Sequence, residues 1–182
     1  CGWCRRTGCC AAPDRWQSNV IFHHRRWQCV YHEHFFLSTT PCKPSRFRHS
    51  RWPRQCTLGV FQCRRHQLVV VNTHFDFATE VQIRSAELIR KRLRRHARKG
   101  PVILMGDFNA TPASPCYAVF TSRNRDGRPV LHNAFDAPYM GTHHGFTGKS
   151  GADPIDWILY CGSLRVDQTV VVTQPFSGQY PS

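Results

Sequence analysis

The sequence of 182 residues is short of acidic side chains, with 11 Asp and Glu against 25 Lys and Arg. The formal net charge of +14 favours anionic partners, such as phosphate groups or nucleic acid. Arg outnumbers Lys, and the planar guanidinium suits phosphate oxygens. The alternative is that these charges only solvate the surface.

Long apolar runs are also lacking. No stretch of 18 apolar residues occurs, so the sequence predicts no membrane span. Residues 1–6 lack the apolar segment of a signal peptide. A hydrophobic content of 41% is nevertheless enough to fill a core. The length predicts a single domain over residues 1–182, in which residues 1–18 show no periodicity and stay unassigned.

The 10 cysteines are scattered and lack the paired spacing of a zinc ribbon. Cys1, Cys4, Cys9 and Cys10 form at most half of a zinc site, because no second cysteine pair follows at the usual distance. Structural thiols in a reducing compartment are therefore the favoured interpretation. A zinc-binding nucleic-acid module is kept as an alternative.

Apolar strands alternate with one strong helix, a pattern that predicts an α/β layered domain. The continuous apolar run Leu68–Val71 is typical of a strand covered on both faces. Strands are predicted at residues 19–23, 28–31, 57–62, 67–72, 102–105, 155–160 and 169–173. The aromatic run at Phe35 and Phe36 also looks like a strand, which runs into a loop at residues 37–41. Helices are predicted at residues 79–98 and 116–121, and the first is stopped by Gly100 and Pro101.

Polar side chains follow two of these strands. Asp107 and Asn109 come after the strand at 102–105, and His74 and Asp76 come after the strand at 67–72. Residues two apart in extended chain point to the same side, so each pair can serve one site. Such a carboxylate can orient or deprotonate a water molecule. The alternative is a simple turn, which Asp and Asn favour.

Asp156 lies in the otherwise apolar strand at 155–160. A buried carboxylate needs a partner, so we expect a metal ion or a nearby histidine, with His143 and His144 as candidates. The alternative is an edge strand whose Asp156 faces water. Three strand ends that each carry a carboxylate would offer hard oxygen ligands, which suit Mg²⁺ or Mn²⁺.

Four blocks in this order resemble the signatures of the endonuclease/exonuclease/phosphatase (DNase I-like) superfamily. The blocks are Val71-Asn72-Thr73-His74-Phe75-Asp76, Val102-Ile103-Leu104-Met105-Gly106-Asp107-Phe108-Asn109, Gly141-Thr142-His143-His144-Gly145-Phe146 and Ile155-Asp156-Trp157-Ile158. The segments Phe35–Pro41 and Pro53–Thr57 are similar to a subgroup of that family. The resemblance spans most of residues 19–182.

The resemblance implies a four-layer α/β/β/α sandwich and a metal-dependent phosphoester hydrolase, whether phosphodiesterase, nuclease or phosphatase. It implies Mg²⁺ or Mn²⁺ as cofactor, a phosphorylated substrate such as nucleic acid, and a monomer. Asp107 would orient the attacking water and contact the metal. The other implied roles are phosphate contact by His74, phosphate positioning by Asn109, ordering of the site by a buried Asp156, and substrate contact by Arg54 and His144.

Two parts of the family pattern have no counterpart in this sequence. The metal-binding Glu is missing, since Glu33 and Glu80 lie in the wrong blocks, and so is the final Asp-His pair. We therefore expect an incomplete domain, truncated at both ends, with impaired activity. The alternative is an inactive module that only binds phosphate or nucleic acid.

Asn109-Ala110-Thr111 is formally a glycosylation site within the catalytic turn, which favours an intracellular protein.

Overall fold

The computed structural model describes residues 19–96, 100–122, 130–149, 151 and 153–180. They form one six-stranded sheet with the strand order β1-β2-β3-β4-β6-β5. The elements are β1 Gln28–Phe36, β2 Gln55–Cys63, β3 His66–His74, α1 Thr79–His96, β4 Val102–Asp107, α2 Pro115–Thr121, β5 His132–Asn133 and β6 Asp156–Cys161. No helix in the described ranges is long and apolar enough to cross a membrane.

The centre of the sheet is a β3-α1-β4 unit. β3 and β4 pair in parallel, whereas the other neighbouring strands pair antiparallel. Ala86, Ile89 and Leu93 lie on one stripe of α1 and are at most 1% exposed, because this stripe packs on the sheet. Burial of such side chains is the main source of stability in this unit.

The opposite face of the sheet is less covered. Asn72 of β3 donates a side-chain hydrogen bond to the Val20 carbonyl, which holds the segment at residues 19–23 against this face. Ile158 of β6 stays 40% exposed on it. The described residues therefore form one sheet and one helix layer, and the predicted α/β fold of an incomplete DNase I-type sandwich is confirmed.

The prediction of strands at residues 19–23 and 169–173 is wrong. Residues 19–23 and 169–173 pair with no strand of the sheet in the described structure. Their apolar side chains are largely exposed, with Phe22 at 93% and Val172 at 75% exposure. The predicted strand at residues 28–31 and the aromatic run at Phe35 and Phe36 are one continuous strand, β1, and the two-residue β5 was not predicted. The end of the predicted helix 79–98 lies outside the described residues, since α1 is described to His96.

Candidate active site

One edge of the sheet gathers most of the predicted site residues. β3 and β4 run in the same direction and end there with His74 and Asp107. β2 and β6 run the opposite way, so their starts lie at the same edge. Arg54 immediately precedes β2, and Asp156 is the first residue of β6. Strand direction alone therefore brings together residues that are distant in the chain.

Three of these side chains form a row on the less covered face. His74 pairs with Asp107 in the register of β3 and β4, and Asp107 pairs with Asp156 in the register of β4 and β6. Side chains that are directly paired across strands project to the same face. Nε2 of His74 lies 3.3 Å from Oδ2 of Asp107. We call His74, Asp107 and Asp156 the acid–histidine row.

A buried aromatic side chain follows each member of the row. Phe75, Phe108 and Trp157 point to the helix side and are at most 2% exposed. The rings of Phe108 and Trp157 stack with centroids 4.2 Å apart, and Phe75 meets Phe108 edge-on at 5.0 Å. The row is thus carried on rigid, packed backbone, which is what a preorganised site requires.

The turn at residues 106–109 has a strained backbone. Gly106 has φ 149, and a Cβ at this position would overlap the carbonyl oxygen of Thr73. Asn109 has φ 48. Its backbone N–H donates to Oδ1 of Asp107 at 2.8 Å, and its side-chain amide donates to the carbonyl of Phe75 at 2.9 Å. These bonds hold the Asp107 carboxylate in place and hold the turn to the end of β3.

Arg54 brings positive charge to the row. Its side chain is half-buried, and its Nε has no hydrogen-bond partner among the described residues. Desolvation lowers the pKa of Arg54, an effect that the charges of Asp76 and Asp107 oppose. A guanidinium remains charged in proteins. An unpartnered donor of this kind is suited to an anionic ligand.

The surroundings of His74 favour its neutral form. Desolvation lowers its pKa below the ordinary 6.5, and the positive charge of Arg54 lowers it further. The carboxylates of Asp107 and Asp76 act in the opposite direction but do not outweigh these effects. A neutral imidazole keeps one N–H donor and one acceptor nitrogen, so at neutral pH His74 can donate to one neighbour and accept from another.

Asp156 departs from the expectation of a buried acid. It begins β6 rather than lying within it, and its side chain is exposed because the strand starts at the open sheet edge. Partial desolvation still raises its pKa, and the nearby Asp107 charge raises it further, whereas a Thr142 hydrogen bond and the His143 charge lower it. Among the two candidate histidines, His143 is the electrostatic neighbour.

His144 makes a different contact. Its ring lies 5.9 Å from the ring of Tyr180, measured between centroids. Its Nδ1 is buried and has no hydrogen-bond partner among the described residues. A role in substrate contact therefore stays a prediction for this residue.

Asp76 serves the loop that leads to Arg54. It is 2% exposed, and its Oδ2 accepts hydrogen bonds from the Ser50 hydroxyl and from the backbone N–H groups of Arg51 and Trp52 at 2.8–3.1 Å. Oδ1 accepts from the Phe77 N–H at 2.9 Å. Burial acts to raise the pKa of Asp76, but these bonds outweigh it and lower the pKa. We call Asp76 the loop clamp.

The row offers limited ligands for a metal ion. Within the described residues, no group of three or more His, Cys, Asp or Glu side chains is arranged to hold one. Mg²⁺, however, often binds through one or two carboxylates and completes its shell with water and substrate phosphate. Asp107 and Asp156 fit that donor set. The cysteines considered for zinc, at positions 1, 4, 9 and 10, lie outside the described residues.

The sequence model of the Endonuclease/Exonuclease/phosphatase family matches residues 11–177, which is most of the chain. The chain belongs to this family. The resemblance drawn from the four blocks is thereby confirmed. No curated protein matches the chain.

Solved structures share the fold of this family member. An endonuclease/exonuclease/phosphatase family protein from Bacteroides thetaiotaomicron is 27% identical to this chain, with a TM-score of 0.64. The match covers 74% of this chain and 51% of the Bacteroides protein. The mannosyl-6-phosphatase Bt3783 of that organism is 26% identical (TM-score 0.65; coverage 75% and 54%). A functionally unknown conserved protein from Enterococcus faecalis V583 is 24% identical (TM-score 0.75; coverage 88% and 65%). The chain thus spans about half to two thirds of their lengths.

Two supporting residues of this family member escaped the sequence analysis. Gln82 of α1 is 3% exposed, and its amide donates to the carbonyls of Asp76 and Asn109, both at 2.9 Å. The Thr142 hydroxyl accepts the N–H groups of Ile155 and Asp156 at 3.1 Å. A signal existed for Gln82, because it lies four residues before Ala86 on the buried stripe of α1, where a polar side chain needs a partner.

Proposed function

We propose that this chain hydrolyses phosphoester bonds with the help of Mg²⁺ or Mn²⁺. The observation that carries the proposal is the acid–histidine row on three adjacent strands, with the half-buried Arg54 beside it. Membership of the family and the similarity to a mannosyl-6-phosphatase support the reaction class. The proposed substrate is a phosphorylated molecule, and nucleic acid is included because of the +14 charge.

The geometry supports distinct roles for the side chains. Arg54 and the neutral His74 would donate hydrogen bonds to phosphoryl oxygens, where negative charge builds up during the reaction. Asp107, held by the Asn109 N–H, would orient the attacking water and accept its proton. Asp156, with its raised pKa, would stand beside it and help to order the site. Asn109 would position the phosphate through the turn that it stabilises.

Asp107 and Asp156 are the residues proposed to hold the cation. A divalent metal ion bound there would polarise the phosphoryl oxygen and stabilise charge on the leaving group. The carboxylates also repel one another across the β4–β6 pair, as the effect of Asp107 on the pKa of Asp156 indicates. A cation held by these carboxylates would offset this repulsion, so its binding should lower the pKa of Asp156.

A second function is an inactive module that binds phosphate without turnover. It is favoured by the absence, in the described ranges, of a cluster of three metal-binding side chains. It is also compatible with a chain that spans 51–65% of the length of the matched structures. This candidate keeps Arg54 and His74 as anion contacts and assigns no catalytic step to Asp107.

The two functions are separated by a hydrolysis assay with bis(4-nitrophenyl) phosphate, 4-nitrophenyl phosphate and a single-stranded oligonucleotide. Each substrate is tested with Mg²⁺, with Mn²⁺ and with EDTA. We expect turnover that EDTA abolishes and that Asp107→Asn lowers about 100-fold or more, since a water-orienting group contributes about this much. Asp167→Asn is the matched control, because this exposed carboxylate contacts only Arg165 in the described structure.

Activity that survives both EDTA and Asp107→Asn would contradict the metal-dependent mechanism. Phosphate binding without turnover by the folded protein would support the inactive module instead. An equal loss in Asp107→Asn and Asp167→Asn would show that the effect is not local to the row. Circular dichroism of each variant establishes that the comparison is made between folded proteins.

A further inference from the structure

A basic groove lies between α1 and the loop that follows β1. Its volume is about 650 Å³. The residues lining it are Ser38, Thr39, Pro41, Phe47, Arg84, Glu87, Leu88, Lys91, Arg92 and Arg95. None of them belongs to the acid–histidine row, and the loop clamp and Arg54 do not line it either. We refer to this surface as the helix groove.

The cations of the helix groove lie on one side of α1. Arg84, Leu88, Lys91 and Arg95 follow one another at spacings of four, three and four residues, so they share one helix face. The positions from 84 to 95 extend about 16 Å along the helix axis. A line of charge of this length is matched to an elongated polyanion rather than to a single phosphate group.

Two of the cations have acidic partners, and two have none that the structure records. Arg92 donates to Glu33 at 2.6 Å, and Arg84 pairs with Glu80 at 2.8 Å. Lys91 and Arg95 are exposed in the groove without an ion pair among the described residues. Glu87 is the acidic residue in the lining, and it offsets part of the positive charge. The groove therefore keeps a net positive charge centred on Lys91 and Arg95.

The lining is unsuited to reading bases. Its aromatic residue, Phe47, is 7% exposed and packs in the hydrophobic core, so no aromatic surface is available for base stacking. The hydroxyl of Thr39 and the cationic side chains are the groups offered to a ligand. Contacts of this kind fix a sugar–phosphate backbone but carry no sequence information.

One end of the helix groove lies near the sheet edge that carries the candidate site. α1 connects the end of β3 to the start of β4, and these strands are parallel. The first turn of α1 therefore lies at the edge where His74 and Asp107 end their strands, and the helix runs away from it. Arg84 is near the site end of the groove, and Arg95 is at the far end.

We propose that the helix groove binds the phosphate backbone of a nucleic-acid strand without reading its bases. The inference goes beyond hydrolysis, because it assigns a binding surface outside the acid–histidine row and holds whether or not the bound strand is cleaved. Lys91 and Arg95 make the principal phosphate contacts, and Arg84 adds a third at the site end of the groove.

The test measures binding of a fluorescein-labelled, single-stranded oligothymidylate by anisotropy in EDTA, across a series of salt concentrations. The groove variant is Lys91→Gln with Arg95→Gln. The control variant is Arg65→Gln with Arg94→Gln, which removes the same charge from exposed residues outside the lining. The slope of log association constant against log salt concentration is negative, and we expect the groove variant to reduce its magnitude by about 1.4. This is about 0.7 for each of the two lost phosphate contacts.

The control variant should change the dissociation constant by less than about twofold, since these charges act only through the general field. An equal loss in both variants would overturn the proposal, because binding would then follow net charge alone. Failure of the unaltered protein to bind would overturn it as well. Equal affinity for tripolyphosphate would refute an elongated strand as the ligand. Because EDTA is present throughout, none of these outcomes depends on whether the protein hydrolyses phosphoesters.

Discussion

The loop clamp gives a prediction whose size follows from the structure. Asp76→Ala removes the acceptor of four donors, namely the Ser50 hydroxyl and the N–H groups of Arg51, Trp52 and Phe77. Hydrogen bonds to a charged group contribute about 1.5–3 kcal/mol each when buried. Arg51, Trp52 and Phe77 are exposed, so water can replace the hydrogen bonds of their N–H groups at little cost, and the bond from the buried Ser50 hydroxyl remains. We therefore expect a loss of about 1.5–3 kcal/mol, a sizeable part of the 5–15 kcal/mol typical of a domain.

The pH dependence of this loss has a definite sign. The pKa of Asp76 lies below the ordinary 3.8, so the carboxylate stabilises the folded state at neutral pH. That contribution is lost as the pH falls through the lowered pKa, because the protonated group no longer accepts all of these bonds. The difference in unfolding free energy between the unaltered protein and Asp76→Ala should thus shrink below about pH 4.

The assay is urea unfolding followed by tryptophan fluorescence at pH 7 and at lower pH values. Asp167→Ala serves as the control, since an exposed carboxylate changes stability by about 0.5 kcal/mol or less. A loss below about 1 kcal/mol for Asp76→Ala would refute the reasoning, because the four donors would then be satisfied without the carboxylate. A difference that stays constant at low pH would refute the assignment to the ionised form.

Two further predictions concern the geometry and charge of the row. Gly106→Ala should lower stability by about 2–4 kcal/mol, because both its φ of 149 and the facing backbone of Thr73 oppose a Cβ. Gly145 has φ 53 but open space around it, so Gly145→Ala should lower stability by only about 1 kcal/mol. Thermal melts followed by circular dichroism compare the two, and equal losses would count against the close contact. Arg54→Gln should raise the pKa of His74, since the guanidinium lowers it. NMR titration of the histidine ring protons measures this shift, and Arg65→Gln should leave it unchanged.

The central unit of the fold was predictable because its local signals agree. The run Leu68–Val71, the helical stripe ending at Leu93 and the stop at Gly100 describe β3, α1 and the start of β4. Once these strands are parallel, the sheet edge that carries His74 and Asp107 follows from their direction. The four-block resemblance then identified the family, which no single turn would have done.

What could not be predicted depends on long-range contacts. Val20 and Val172 look like strand residues, yet no described strand pairs with them, and they remain exposed. The spacing of His74 and Asp76 implied one shared site, whereas Asp76 bonds to a loop that lies more than twenty residues earlier in the chain. Asp156 looked buried because its neighbours are apolar, but it is the first residue of its strand and its side chain is exposed.

The buried rings of Phe75, Phe108 and Trp157 beneath the row also limit where the chain can lose a residue. Side chains alternate along a strand, so a slip of one residue in β6 would send Trp157 to the row and Asp156 into the core. The stack of Trp157 on Phe108 opposes that slip, since it would leave both a cavity and a buried charge. We therefore expect a single deletion within β6 to dismantle the row.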